Sequence, residues 1–391
     1  MRRGEHSRLI KCVRRFYMKF IFTCGGTAGH INPAIAVAGR LKELIPSCEI
    51  LFIGAEGKME MDLVPREGYD IKAVKITNVS RQMNLEGLKH NIDTFKNIFI
   101  SEKESLEIIK EFQPDAVIGT GGYVCYPVLK AAHKLGIPTL VHESNAEPGL
   151  TTKRLAKVVD KVLVGFDGCQ KYYPDPSKVE VTGTPVRGAF SMYTKESAKA
   201  ELGIPNYEPL VVSVWGSLGA QFMNDTVAEM VPIICDEGDF RFIHSTGKRY
   251  YDSFMEKIRN TCPNCSELGV DIREYIHDMA RVMTAADLII CRAGASTLSE
   301  LAFMGKPCIL VPSPNVTGNH QEKNARVLEN AGAAVVMLEN EITARTLFDR
   351  INQLLLDNDA LYTMSENMSS LAHEDSAEKI CSIILEMVNK A

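Results

Sequence analysis

The first segment equipped for chemistry is Cys24-Gly25-Gly26-Thr27-Ala28-Gly29-His30, set between a short apolar run and a helical stretch that contains Pro33. Glycine lets the backbone approach a ligand closely, and the N–H groups that open a helix attract anions, so phosphate or a diphosphate lipid suits this turn. Pro33 fits a first-turn position in that helix. The turn is not a Walker loop, since no Gly-Lys-(Ser/Thr) follows, and Cys at position 24 breaks the GxGxxG dinucleotide fingerprint. His30 adds an imidazole that can accept a proton at neutral pH, or can simply organise the loop.

Two further turns sit behind apolar runs in the same way: Gly119-Thr120-Gly121-Gly122-Tyr123 and His142-Glu143-Ser144-Asn145. Later come Trp215-Gly216-Ser217-Leu218-Gly219-Ala220, Ala293-Gly294-Ala295-Ser296-Thr297-Leu298-Ser299-Glu300 and His320-Gln321-Glu322-Lys323-Asn324. Ser296 and Thr297 would bring hydroxyls and N–H groups to a helix start, which suits pyrophosphate, and Glu300 could accept from two sugar hydroxyls. The alternative there is a capping box with Glu300 reaching back to the helix start. For His142 and Glu143 the alternative is a loop or cap role, and for Gln321 a solvated helix start. Asp357-Asn358-Asp359 follows a helical Leu run and reads as a turn rather than a divalent-ion site. Cys262-Pro263-Asn264-Cys265 has no second ligand pair nearby and reads as a surface loop; no metal and no cofactor are expected.

Positioning these turns requires strands that end just before them. Apolar runs at 19–24, 49–53, 116–119, 139–142 and 162–164 alternate with helical stretches, and a second series follows at 210–214, 240–244, 288–291 and 308–312. Strand–helix alternation implies parallel sheets, and two doubly wound sheets fit better than one. In such sheets the loops after the strands' C-terminal ends converge on one crevice. An internal echo supports the division, because Gly26-Thr27-Ala28-Gly29 and Gly216-Ser217-Leu218-Gly219 lie 190 residues apart, each after a strand. The join falls near Gly183–Gly188. Residues 377–391 read as an amphipathic helix able to cross back onto the first domain.

At 391 residues, with 45% hydrophobic and 24% charged residues, the chain has a globular composition and is too long for one core. The net charge of −5 gives no reason to expect nucleic-acid binding. Residues 1–17 carry six basic residues and one acidic one, so residues 18–391 hold −10. Because Met18 opens the first strand, residues 1–17 read as a mis-assigned start, with a basic arm on anionic lipid as the alternative. The 11 cysteines lie mostly in apolar runs, as buried thiols in a reducing compartment do. No run approaches the roughly 18–20 apolar residues that span a bilayer, and the basic arm lacks a signal peptide's apolar core.

Together, Gly25–His30 with Asn32-Pro33, Gly121–Val124, His142–Asn145, Gly183–Arg187, Gly216–Ala220 and Ala293–Glu300 resemble, in order and spacing, the MurG-type enzymes of glycosyltransferase family 28. The resemblance runs from Met18 nearly to Ala391. It implies an α/β GT-B fold, two Rossmann-like domains facing a cleft: an acceptor and membrane domain at 18–186 joined by a helix at 373–391, and a UDP-sugar domain at 187–372. It implies inverting transfer of N-acetylglucosamine from UDP-N-acetylglucosamine to the undecaprenyl-diphosphate-linked muramoyl-pentapeptide, giving a β-1,4 link. The enzyme would be peripheral, on the cytoplasmic face of a bacterial membrane, and would use no active-site metal. Leaving-group charge would then fall to backbone N–H groups, helix dipoles and arginine.

By that resemblance the donor meets Thr27, Ala28, Gly29, Asn145, Arg187, Ser217, Ile276, Ala295, Ser296, Thr297, Leu298, Ser299, Glu300 and Gln321. Arg187 and Ser217 would hold the diphosphate, Ile276 would turn its backbone to uracil, and Glu300 would take the ribose hydroxyls. Gly25, Gly26, Gly121, Gly122 and Tyr123 would form the acceptor-diphosphate loops, with His30 the candidate general base. The chain departs from the family at Ala28, Ser144, Thr184, Trp215, Leu218 and Ala293, which bears on donor choice. Rival readings are another GT-B enzyme acting on a glycolipid, a UDP-N-acetylglucosamine 2-epimerase, and a non-catalytic nucleotide-sugar-binding subunit.

A lipid acceptor requires a membrane-facing surface. Residues 81–103 offer Leu85, Leu88, Ile92, Phe95 and Phe99 near helical spacing, among Lys89, His90, Lys96 and Lys103. This suits an interfacial helix on an anionic membrane surface; the alternative is an ordinary amphipathic core helix.

Overall fold

Apolar runs that end in glycine or polar turns form parallel strands throughout. The computed structural model describes residues 17–76, 85–186, 188–216, 219–373 and 375–390, and within these not the side chains of residues 85–96 or of Thr317. Expectations placed on residues 1–16, on Arg81, on the side chains of Leu85, Leu88, Ile92 and Phe95, and on Arg187, Ser217 and Leu218 lie outside the described residues. The chain divides into two compact units, residues 1–187 with 373–391, and residues 188–372.

The first unit holds β1 (Lys19–Thr23), β2 (Glu49–Ala55), β3 (Asp70–Val74), β4 (Ala116–Gly119), β5 (Thr139–Glu143), β6 (Lys161–Val164) and β7 (Val179–Val181). They pair in parallel in the order β3-β2-β1-β4-β5-β6-β7. Successive side chains of a strand face opposite ways, and here both faces are covered. Phe20 and Phe22 of β1 join a cluster with Ile31, Leu41 and Phe52, whereas Ile21 between them joins Val117, Val128 and Val141 on the other side. Full burial of each such side chain contributes about 1.5–3 kcal/mol.

The second unit repeats the plan with β8 (Leu210–Val214), β9 (Arg241–Ser245), β10 (Val270–Arg273), β11 (Leu288–Cys291), β12 (Cys308–Leu310) and β13 (Ala334–Val336), ordered β10-β9-β8-β11-β12-β13. In each sheet the first strand lies beside the fourth, and the chain winds outward from that pair in both directions. Loops after the paired strands therefore open side by side at a topological switch point, where open α/β sheets place ligands. The sequence echo corresponds to β1 and β8, which hold the same place in the two orders.

Several sequence expectations need correction. The first helix begins at Ala28 and ends at Leu44, so Pro33 lies inside it, one turn later than its residue type suggested. The echo also breaks after the strands, for the helix behind β8 starts only at Gln221, past Ala220. Strands β3, β7, β10 and β13 had no counterpart among the apolar runs.

The helix Ser376–Lys390 belongs to the first unit. Its Ile380, Cys381 and Ile384 are buried against Ile31, Val37 and Leu41 of the helix Ala28–Leu44, and Glu378 pairs with Arg40. A Cβ on Gly183 would collide with His373, so the returning chain and the end of the outgoing chain are packed without space to spare.

Candidate active site

In the first unit the loops after β1 and β4 are locked together. Gly25 N–H donates to Gly121 O at 3.2 Å, and Gly122, at φ +93°, lies so close beneath that a Cβ would collide with Gly25 O. Thr120 Oγ1 donates to His30 O at 2.7 Å. Gly26 N–H donates to Glu60 Oε2 at 3.0 Å, while Ala55 N–H, at the end of β2, donates to Oε1 of the same carboxylate at 2.9 Å. The N–H groups of Gly25 and Gly26 are thus engaged within the protein, which shifts any anion-binding role in this loop towards the helix start at Thr27, Ala28 and Gly29. Ala28 is the first helical residue, at a negative φ that costs an L-residue nothing.

His30 stands in the first turn of that helix, with Nδ1 2.9 Å from Gly25 O and 3.4 Å from Thr27 Oγ1. Its ring lies against Gly121, where a Cβ would come within 2.5 Å of Cδ2 and 3.0 Å of Nε2. Tyr123, half-buried, lies over Gly26, and burial raises the pKa of its phenol.

The loop after β5 is organised from within. Glu143, 5% exposed, accepts from Asn145 N (3.1 Å), Asn145 Nδ2 (2.8 Å) and Gly149 N (2.9 Å), so the carboxylate fixes Asn145. His142 is buried with Nε2 2.9 Å from Gly183 O, and burial lowers its pKa. A neutral, buried imidazole tied to a carbonyl is structural, in line with its loop reading. Ser144 faces the same ring at 3.4 Å, and its burial removes it from any ligand surface.

The second unit brings its loops together through Arg292, just past β11. Its guanidinium lies 5.5 Å from the Trp215 ring, donates to Val311 O at 3.0 Å and pairs with Glu339. One side chain thereby joins the loops after β8, β11, β12 and β13. Trp215, a departure from the family, is 3% exposed among Met223, Val227 and Val311, so its bulk fills the interior. Ala293 is also fully buried.

The helix Ala295–Met304 starts from Gly294 as N-cap, with no side-chain cap. Ala295, Ser296 and Thr297 occupy its first turn, followed by Leu298, Ser299 and Glu300. Glu300 is therefore too far along for the capping box offered as its alternative role. Gln321, in the first turn of the helix His320–Asn330, accepts from Ser313 N at 2.8 Å and so braces the loop after β12. Ile276 is 2% exposed in the loop after β10. Asp357 ends one helix and caps the next by accepting from Ala360 N at 2.9 Å, which accounts for the Asp-Asn-Asp run. Among the described residues, no three His, Cys, Asp or Glu side chains gather as a metal site.

Sequence reasoning missed Glu60 and Arg292. Glu60 sits in an unremarkable Lys58-Met59-Glu60-Met61 stretch, and only the fold carries it beneath the glycine loop.

Two parallel sheets with flanking helices, each with paired loops at its switch point, make up the two Rossmann-like units of the GT-B class. Residues 20–164 match the glycosyltransferase family 28 N-terminal domain, and residues 210–380 match the family's C-terminal domain. The chain belongs to glycosyltransferase family 28 and is a glycosyltransferase. It is 46% identical, over 96% of its length and 100% of the relative's, to a UDP-N-acetylglucosamine–N-acetylmuramyl-(pentapeptide) pyrophosphoryl-undecaprenol N-acetylglucosamine transferase of Acetivibrio thermocellus. A protein of the same name from Thermoanaerobacter is 43% identical over 94% of this chain and 99% of its own. Among solved structures, Acinetobacter baumannii MurG superposes with a TM-score of 0.73 at 26% identity, covering 94% of this chain and 99% of that one.

Proposed function

We propose that the protein transfers N-acetylglucosamine from UDP-N-acetylglucosamine to the 4-hydroxyl of the muramoyl sugar in undecaprenyl-diphosphate-linked muramoyl-pentapeptide, with inversion. The observation that carries this reading is identity along almost the whole chain to relatives named for that transfer. In the reaction, the acceptor hydroxyl gives its proton to His30 Nε2 while its oxygen bonds to the anomeric carbon. The bond from that carbon to the diphosphate oxygen breaks, and UDP leaves with the electron pair.

Each loop takes a role suited to its chemistry. The N–H groups at the start of the helix Ala295–Met304, with Arg187 and Ser217, offset the diphosphate charge that grows in the transition state. Glu300 receives the ribose hydroxyls, Ile276 offers its backbone to uracil, and Gln321 steadies the neighbouring loop. Thr27, Ala28, Gly29 and Asn145 meet the sugar end of the donor, while Gly121, Gly122 and Tyr123 shape the acceptor side. The test incubates the protein with radiolabelled UDP-N-acetylglucosamine and the lipid-linked acceptor, with and without chelator. Label in the lipid fraction under both conditions is expected; no label from a folded sample overturns the reading.

We also assign membrane attachment to the helix Leu85–Phe112. Its Ser101, Ser105 and Ile109 face inward, whereas Phe99 is 70% exposed and Ile100 46% exposed, beside Lys103. Exposed apolar side chains next to a base suit an anionic membrane surface. No helix among the described residues is long and apolar enough to cross a bilayer. Phe95→Asp with Phe99→Asp should abolish sedimentation with anionic vesicles while the protein stays folded, and retained binding removes this helix from the role. The reading places the enzyme at the cytoplasmic membrane face, in cell-wall synthesis.

A further inference from the structure

The carboxylate of Glu60 is completely buried, yet no lysine or arginine pairs with it among the described residues. Its two oxygens are instead divided between two backbone N–H groups, Gly26 on one and Ala55 on the other. Both neighbouring backbones are glycine because the carboxyl arm leaves no space: a Cβ on Gly25 would collide with Oε1, and one on Gly54 would lie 2.5 Å from Cγ. Burying such a group is costly unless its hydrogen bonds are met, and a plain apolar contact would pack this corner at less cost. The arrangement makes sense if the position of the Gly25–Gly26 peptide matters.

What that peptide holds is His30. Gly25 O is an acceptor only, so the 2.9 Å contact to His30 Nδ1 requires a proton on Nδ1. The neutral ring is then the Nδ1–H tautomer, and the lone pair lies on Nε2, on the edge of the ring that packs against Gly121. The chain of contacts runs from Glu60 to Gly26 N–H, through the shared turn to Gly25 O, and on to His30 Nδ1–H. Gly121 completes the bracket by taking Gly25 N–H at 3.2 Å while lying against the imidazole itself.

We infer that Glu60 is a positioning residue for the transfer: it fixes the glycine turn so that Gly25 O selects the Nδ1–H tautomer of His30 and leaves Nε2 as the proton acceptor. This rests on the reading of His30 as general base. Glu60 touches neither substrate.

Glu60→Gln tests the inference, since one amide arm presents a donor where a backbone N–H needs an acceptor. In the wild-type protein, 15N NMR of labelled histidine should show His30 protonated at Nδ1 only. In Glu60→Gln the ring should populate both tautomers, with kcat lowered about 10- to 100-fold, within what a general base contributes, and KM for UDP-N-acetylglucosamine unchanged. Gly121→Ala, which pushes the ring from its other side, provides a second route should Glu60→Gln fold poorly, and should likewise lower kcat and shift the His30 signals. An Nε2–H tautomer in the wild type, or wild-type kcat with wild-type His30 signals in folded Glu60→Gln or, should that variant not fold, in Gly121→Ala, overturns the inference. Full transfer by His30→Ala would instead remove the general-base reading, while the tautomer measurement still reports whether Glu60 sets the ring.

Discussion

The two units share a strand order but treat the turn after their first strand differently. Behind β1 the helix starts at once, at Ala28, and the turn is held by Gly121, Glu60 and His30. Behind β8 the helix waits until Gln221, and a Cβ on Gly216 would meet nothing within 4 Å. Each unit also has a histidine near its central strands. His30 sits at the head of a helix with one nitrogen tied, whereas His244 is buried between Phe242 and Phe254 with Nδ1 3.1 Å from Ser213 Oγ. A duplicated strand order thus supports a first turn braced by hydrogen bonds from three other segments, and a second whose Gly216 has free space beside it.

The contrast can be broken at several points. The largest effect is expected at His30: replacement by Ala should lower kcat about 10²- to 10⁴-fold, the range for a general base, while calorimetry finds UDP binding unchanged. Loss of UDP binding would show that the first unit's loop holds the donor rather than the reacting group. Next, Gly122→Ala forces a Cβ into Gly25 O at a φ unsuited to L-residues and should cost about 3 kcal/mol or more in denaturant unfolding. Gly216→Ala carries only the backbone cost, about 1–2 kcal/mol. Equal losses in the two variants would mean that the loops are not differently packed.

A further test concerns His244. Burial lowers its pKa from 6.5 to about 3, so the unfolded chain takes up a proton there well before the folded chain does. Its neutral form supports the fold above pH 6.5, and that support fades as pH falls towards 3. From about pH 7.5 to about pH 5 the loss amounts to about 2 kcal/mol. His244→Phe keeps an aromatic ring between its neighbours and should reduce the acid-dependent loss of stability by that amount. A variant as acid-sensitive as the wild type would place the titrating group elsewhere.

Legibility from sequence followed burial. The central strands β1, β4, β5, β8 and β11 are apolar because helices cover both faces, and their runs stand out. Strands β3 (Asp-Ile-Lys-Ala-Val), β7 (Val-Glu-Val), β10 (Val-Asp-Ile-Arg) and β13 (Ala-Val-Val) escaped notice. All four lie at the edges of their sheets, where side chains are partly exposed; polar residues interrupt β3, β7 and β10, and β13 is only three residues long. The α/β class and the two doubly wound sheets were legible for the same reason, since alternation and turn glycines come from the sheet centres. The glycine turns and His30 could be read directly because their residue types have few other uses in such spacing. Glu60 and Arg292 could not, because each acts through partners remote in sequence: Gly26 is 34 residues from Glu60, and Glu339 is 47 from Arg292.

The helix Ser376–Lys390 has one more consequence. Because it belongs with residues 1–187, the segment 188–372 is an insertion within the other unit's chain, entered and left at two separate points. No single cut yields two self-sufficient halves: a protease acting near residue 372 would strip the amino-terminal unit of the helix that seals Ile31, Val37 and Leu41. A gene fragment encoding only the first 187 residues would therefore make an aggregation-prone polypeptide, whereas one encoding 188–372 would retain its own interior intact.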